Sequence, residues 1–106
     1  MLFLGLTGER ITLAEFDGRF HLSYASPEGV FKAEAILDRD DLVELISSGI
    51  IYVEKVPLDP DVECLTSLEL GKSQRKLILC GDSLIKEIQF SNEEFNKFMT
   101  YLSSFR

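Results

Sequence analysis

The run Ile11-Thr12-Leu13-Ala14-Glu15-Phe16-Asp17-Gly18-Arg19-Phe20-His21-Leu22-Ser23-Tyr24 decides how the rest of the chain is read. Apolar and polar residues alternate on both sides of Asp17-Gly18, the period of strands with one covered face. Asp-Gly suits a two-residue type I′ turn, because both central residues of that turn need positive φ. Such a turn sets the register: Phe16 opposes Arg19, Glu15 opposes Phe20, Leu13 opposes Leu22 and Ile11 opposes Tyr24. One face then carries Ile11, Leu13, Phe20, Leu22 and Tyr24. The other carries Thr12, Ala14, Arg19, His21 and Ser23, with Phe16 beside Arg19. Pattern and turn agree on an antiparallel hairpin.

Working outward, Leu2 to Leu6 reads as a preceding strand closed by Thr7-Gly8. Downstream, Pro27-Glu28-Gly29 makes a turn. Phe31, Ala33, Ala35 and Leu37 then alternate with Lys32 and Glu34 as a fourth strand. Asp38 is an N-cap with Asp41 three residues on, a variant of the capping box. Leu42, Leu45 and Ile46 give the following helix one apolar stripe, and Gly49 ends it. Asp38, Asp40, Asp41 and Glu44 form the densest acidic cluster. Capping and the helix dipole account for the first three, and the offsets of a Ca²⁺ loop are absent.

The second half is read the same way. Ile50 to Val56 is a β-branched strand and residues 57–61 a proline-broken loop. Glu63 to Leu70 and Arg75 to Cys80 are strands around Gly71-Lys72-Ser73-Gln74. Gly81-Asp82 is a two-residue turn into a strand over 83–90, which sets Lys76 opposite Glu87. Ser91 caps the last helix, with Glu94 completing a capping box, and Phe95, Phe98, Met99 and Leu102 line its buried side. The junction Leu37-Asp38 through Leu42 matches Phe90-Ser91 through Phe95 in residue type. The match fits an internal repeat, and it also fits the general form of any strand leading into a capped helix. The expected fold is α+β: antiparallel sheet or sheets with two amphipathic helices, order ββββα–ββββα. One domain spans 1–106, with pseudo-repeat halves 1–49 and 50–106.

Composition bounds what such a fold could do. With 45% hydrophobic residues, eight Phe and three Pro, the chain is too apolar for disorder. A formal charge of −7 disfavours a phosphate backbone but leaves room for a local basic patch. No stretch approaches the roughly 20 apolar residues of a membrane helix, and the apolar start is too short for a signal peptide. With two cysteines, Cys64 and Cys80, a disulfide framework is not expected. A cytoplasmic protein with reduced thiols and no membrane partner follows.

No motif assembles a reaction. Gly71-Lys72-Ser73 resembles the end of a phosphate-binding loop, but Thr66 stands where the first glycine belongs and a strand follows instead of a helix. His21 is the single histidine, on the polar face of a hairpin, without the companions of a zinc site. A nucleophile-elbow pattern is absent. Cys64 and Cys80 fall in neighbouring strands, directly opposed if Leu70 pairs with Gln74 and on opposite faces if it pairs with Arg75. No catalytic, cofactor or metal residue is assigned, and the chain is not expected to be an enzyme. The residues that could meet a partner are Phe16, Arg19, His21 and Lys32 on the first sheet face, and Lys72, Arg75 and Lys76 around the second hairpin.

Two functions are consistent with this pattern. The first is a non-catalytic protein-interaction module, such as an inhibitor, immunity-type or adaptor protein, whose acidity steers it to a basic protein. Self-association as a homodimer through apolar surface or strand edges belongs with that reading. The second rests on element order. Across the whole chain, ββββα–ββββα resembles the plan of Pur-repeat and Whirly-type proteins, which implies single-stranded nucleic-acid binding. The resemblance carries no family motif, so it transfers no residues. Phe16 and Arg19 are the pair that could supply stacking and charge. An exposed Phe16 on a basic face favours nucleic acid; an apolar or acidic face favours a protein.

Overall fold

Asp17 and Gly18 stand at φ 54° and 76°, the positive values a type I′ turn requires. The strands they join pair as Phe16–Arg19, Glu15–Phe20, Leu13–Leu22 and Ile11–Tyr24, the register read from the sequence. The computed structural model describes residues 1–53 and 61–105. The elements run β1 Leu2–Leu4, β2 Arg10–Phe16, β3 Arg19–Ala25, β4 Lys32–Leu37, α1 Arg39–Ser48, β5 Ile50–Tyr52, β6 Glu63–Gly71, β7 Lys76–Gly81, β8 Ile85–Gln89 and α2 Asn92–Ser103. The fold is α+β, a mostly antiparallel eight-stranded sheet with two helices. Residues 54–60, which include the end of the strand expected over Ile50 to Val56 and most of the expected loop, lie outside the described residues.

The sheet order is β1-β2-β3-β4-β6-β7-β8, with β5 also on β6. Only the start of β6 meets β4, in parallel, through Ala33–Glu63 and Glu34–Cys64. Further along, β6 pairs antiparallel with β5 through Ile50–Glu69, Ile51–Leu68 and Tyr52–Ser67. One strand thus joins the first four strands to the last. At the far ends of the path, the Leu6 N–H donates to the Gln89 carbonyl at 2.7 Å. The sheet therefore coils until the chain after β1 touches the end of β8, consistent with the fixed hand of strand twist.

The concave side is the core. Phe3, Ile11, Leu13, Phe20, Leu22, Leu37, Leu65, Leu68, Leu77, Leu79, Ile88 and Phe90 are buried there with Leu42, Leu45 and Ile46 of α1 and Phe95, Phe98 and Leu102 of α2. Among the described residues, no helix is long and apolar enough to cross a membrane.

Both helix starts follow the sequence, with one difference. Asp38 accepts the Asp41 N–H at 2.9 Å, and Asp41 accepts the Asp38 N–H at 3.0 Å, closing the box. Asp38→Ala is expected to lower stability by about 0.5–2 kcal/mol, the usual cost of an N-cap, read as a lower urea midpoint with unchanged slope. Ser91 accepts the Glu94 N–H at 3.2 Å, but the expected return bond is not the one Glu94 makes. Its carboxylate takes the Leu4 N–H at 3.1 Å and the Lys97 ammonium at 3.2 Å. That choice ties β1 to the start of α2.

Neither helix carries a basic residue in its last turn, although cations there are favourable. Both are supplied from elsewhere. The Lys72 ammonium, from the β6–β7 turn, donates to the Ile46 carbonyl near the end of α1. Arg39 Nε, from the first turn of α1, donates to the Phe105 carbonyl just past α2 at 2.5 Å.

Two register expectations are corrected. Gly81 N–H donates to the Leu84 carbonyl at 2.9 Å, so the turn into β8 is Asp82-Ser83 and not Gly81-Asp82. Lys76 then pairs with Gln89, and Glu87 with Ile78. Sliding a two-residue turn by one position moves partners by two, which keeps each side chain on its face. Lys76 and Glu87 still meet diagonally, Nζ to Oε1 at 3.2 Å. In the preceding hairpin Leu70 pairs with Leu77, not with Gln74 or Arg75, and the register shifts between Leu65 and Ser67. Cys80 therefore opposes Ser67, while Cys64 neighbours Glu34. Neither pairing expected for the two cysteines forms.

Candidate ligand-binding face

Because the helices cover the concave side, the opposite side of β1–β4 is open. Strand alternation places Arg10, Thr12, Ala14 and Phe16 of β2 on it, beside Arg19, His21, Ser23 and Ala25 of β3 and Lys32, Glu34 and Ile36 of β4. Pairing arranges them in rows. Leu4, Arg10, Ala25 and Lys32 form one row, and Leu2, Thr12, Ser23 and Glu34 the next. Ala14, His21 and Ile36 follow, and Phe16 with Arg19 ends the face at the hairpin turn.

Phe16 is 69% exposed. No packing need explains a large apolar ring there. Its one ring partner among the described residues is His21, edge-on with centroids 5.9 Å apart. Arg19, its cross-strand neighbour, is exposed. Beyond Arg19 the face continues onto Tyr52, which is 78% exposed. Arg19, Tyr52, Ile36, Asp38 and Asp41 line a shallow hollow of about 210 Å³. Partial burial raises the Asp41 carboxyl above the usual aspartate range, against the Asp38 backbone hydrogen bond that lowers it; the nearby Asp38 and Glu44 charges add to the rise. At the other end of the face, a second hollow of about 350 Å³ lies among Arg10, Thr12, Ser23, Ala25, Lys32 and Glu34.

The two groups of candidate residues fare differently. Phe16, Arg19, His21 and Lys32 share the open face, with Lys32 at the opposite end from Phe16. Among the described residues, Arg10, Arg19 and Lys32 have no ion-pair partner. Lys72, Arg75 and Lys76 do not form a second patch. Lys72 is bound to the end of α1, Lys76 is paired with Glu87, and Arg75 alone points outward, at φ 54° in the turn. Arg10 and Tyr52 carry no local signal in the sequence. Arg10 precedes the alternating run, and Tyr52 reaches the face only through the sheet order.

The exposed acids of the helices lie elsewhere, at Asp40 and Glu44 of α1 and Glu93 of α2. Among the strand residues of the open face of β1–β4, Glu34 is the carboxylate beside Arg10 and Lys32, while Arg19 shares its hollow with Asp38 and Asp41. No protein-family model, curated protein or solved structure matches the chain.

Proposed function

We propose that the open face of β2–β4 binds single-stranded nucleic acid and does no chemistry of its own. The observation that carries this reading is Phe16, exposed, edge-on to His21 and across the hairpin from Arg19. An exposed ring beside a guanidinium is the arrangement on which unpaired bases stack. The formal charge of −7 does not decide against it, because the field near a face follows its local charges. Both helices follow strands and are capped by a side chain, at Asp38 and Ser91, which supports reading the halves as an internal repeat of the Pur and Whirly plan.

The test is fluorescence anisotropy with a labelled oligothymidine strand at low and moderate salt. Wild-type protein should bind, more weakly as salt rises. Phe16→Ala should weaken binding by about 1–3 kcal/mol, the worth of one stacked base, roughly 5- to 150-fold. Arg75→Gln, on the unrelated turn, should leave it unchanged. Absence of salt-sensitive binding by the wild type would end this reading.

The helix side supports a second reading, a non-catalytic interaction module for a basic protein. There Asp40, Glu44 and Glu93 are exposed, and Val43 is partly exposed beside them. Capture of no protein at low salt, with a monomer by light scattering, would count against both the partner and the homodimer.

A further inference from the structure

Resting on the nucleic-acid reading, we infer that the face takes a strand of about four nucleotides lying along β2 and β3, with a base on Phe16 and a phosphate in the Arg10–Lys32 hollow. The two ends of the face differ in chemistry. The hairpin end offers rings, Phe16 and His21, with Arg19 opposite. The far end offers Arg10 and Lys32, separated in their row only by Ala25. Two cations flanking a small residue leave room for one anionic group between them, and the hollow of about 350 Å³ opens there.

The path between the ends is unobstructed. Thr12, Ala14 and Ser23 make its floor, and none rises far from the sheet. Leu2 and Leu4 of β1, about half exposed, stand along one side. From the Arg10 row to the Phe16 row is six residues of strand, roughly 20 Å at about 3.4 Å per residue. That length suits the short end of known single-strand site sizes, about 4 nucleotides. Three cations without an ion-pair partner among the described residues, Arg10, Arg19 and Lys32, set an upper bound on the salt dependence. Neutralising about three phosphates of a single strand gives a slope of log K against log salt near −2, at about −0.7 per phosphate.

Glu34 supplies a check of its own. Its carboxylate lines the Arg10–Lys32 hollow and must repel a phosphate placed there. Removing that charge should strengthen binding only if the backbone passes this end of the face.

The experiment is a length series of oligothymidine strands titrated against the full chain, repeated with Arg10→Gln and Glu34→Gln. Affinity should climb steeply to about four nucleotides and then flatten, at the short end of the site-size range. Arg10→Gln should reduce the salt slope by about 0.7, and Glu34→Gln should tighten binding severalfold. Circular dichroism establishes that both variants keep the fold. If Phe16→Ala weakens binding while Arg10→Gln and Glu34→Gln leave affinity and slope unchanged, the strand runs elsewhere and this inference fails, though the proposed function stands. A plateau well beyond four nucleotides has the same consequence. If no strand binds the wild type at any length, both fall together.

Discussion

Replacing Phe98 with alanine is expected to lower the stability of the fold by about 3–5 kcal/mol, the range for a buried phenylalanine cut to a methyl. Phe98 is fully buried. It meets Phe3 of β1 edge-on, with centroids 5.0 Å apart, and lies stacked on Phe90 at 5.6 Å. Those two rings come from opposite ends of the strand path, so Phe98 is where α2 joins them. The loss combines the removed apolar contact with a cavity that three fixed elements cannot collapse to fill. Domains of this size are stable by only about 5–15 kcal/mol, so the change removes a large share. Urea unfolding followed by circular dichroism measures it. Phe98→Leu, which leaves a smaller void, should lose clearly less. Equal midpoints for wild type and Phe98→Ala would mean that α2 does not seat here.

Gly49→Ala is expected to cost about 1–2 kcal/mol, for a different reason. Gly49 ends α1 at φ 83°, a left-handed conformation disfavoured for a residue with a Cβ. The backbone has little freedom to relax. The Gly49 N–H donates to the Leu45 carbonyl at 3.0 Å, and its carbonyl accepts the Leu70 N–H at 2.7 Å. An added Cβ would also lie 3.4 Å from the Leu70 carbonyl oxygen, tight but not impossible. The strain term therefore dominates. For a chain of this length, each kcal/mol lowers the melting temperature by about 4–8 °C, which differential scanning calorimetry resolves. Gly49→Asn, whose side chain tolerates this conformation, should fall between wild type and Gly49→Ala. An alanine variant as stable as wild type would show that the helix end relaxes to another cap.

The pH dependence of α1 carries an opposite sign from the usual aspartate case. The Asp41 carboxyl is raised above its ordinary range, burial being the largest cause. The folded state thus holds its proton more firmly than the unfolded chain. Its contribution is present below the ordinary aspartate pKa and is lost as pH rises through the raised folded value. Asp41→Asn should flatten that part of the stability–pH curve while its side-chain oxygen still accepts the Asp38 N–H. A wild-type curve that rises instead through this range, with no difference in the variant, would contradict the assignment.

What could be read from the sequence follows a physical division. The hairpin over residues 11–24 was legible because its turn and its alternation are local and agree. Asp38, Asp41 and Gly49 were legible because a cap is decided within a few residues. Failures arose where two local solutions were nearly equal or where the deciding partner was distant. Gly81-Asp82 and Asp82-Ser83 both suit a two-residue turn, and the sequence alone did not separate them. Residues 71–74 and 72–75 likewise both serve as four-residue turns, and the slide by one position moves Leu70 from Arg75 to Leu77. Glu94 was expected to bond its own N-cap, but the N–H of Leu4, far away in sequence, holds it instead. The candidate face followed the same rule. Phe16, Arg19 and His21 came from one hairpin and stayed together. Arg10, Tyr52 and the fate of Lys72 depended on the arrangement of strands.

The borrowed cations at the helix ends bear on how the molecule comes apart. α1 is finished by Lys72, which belongs to the second hairpin, and the end of α2 is held by Arg39, which belongs to α1. Each half therefore completes a helix of the other. Opening either half exposes unsatisfied carbonyls in both, so partial unfolding gains little chain freedom before it costs the remaining structure. Such reciprocal dependence favours loss of the fold in a single step over stepwise fraying of one half. The chain would then behave, in hydrogen exchange, as one cooperative block.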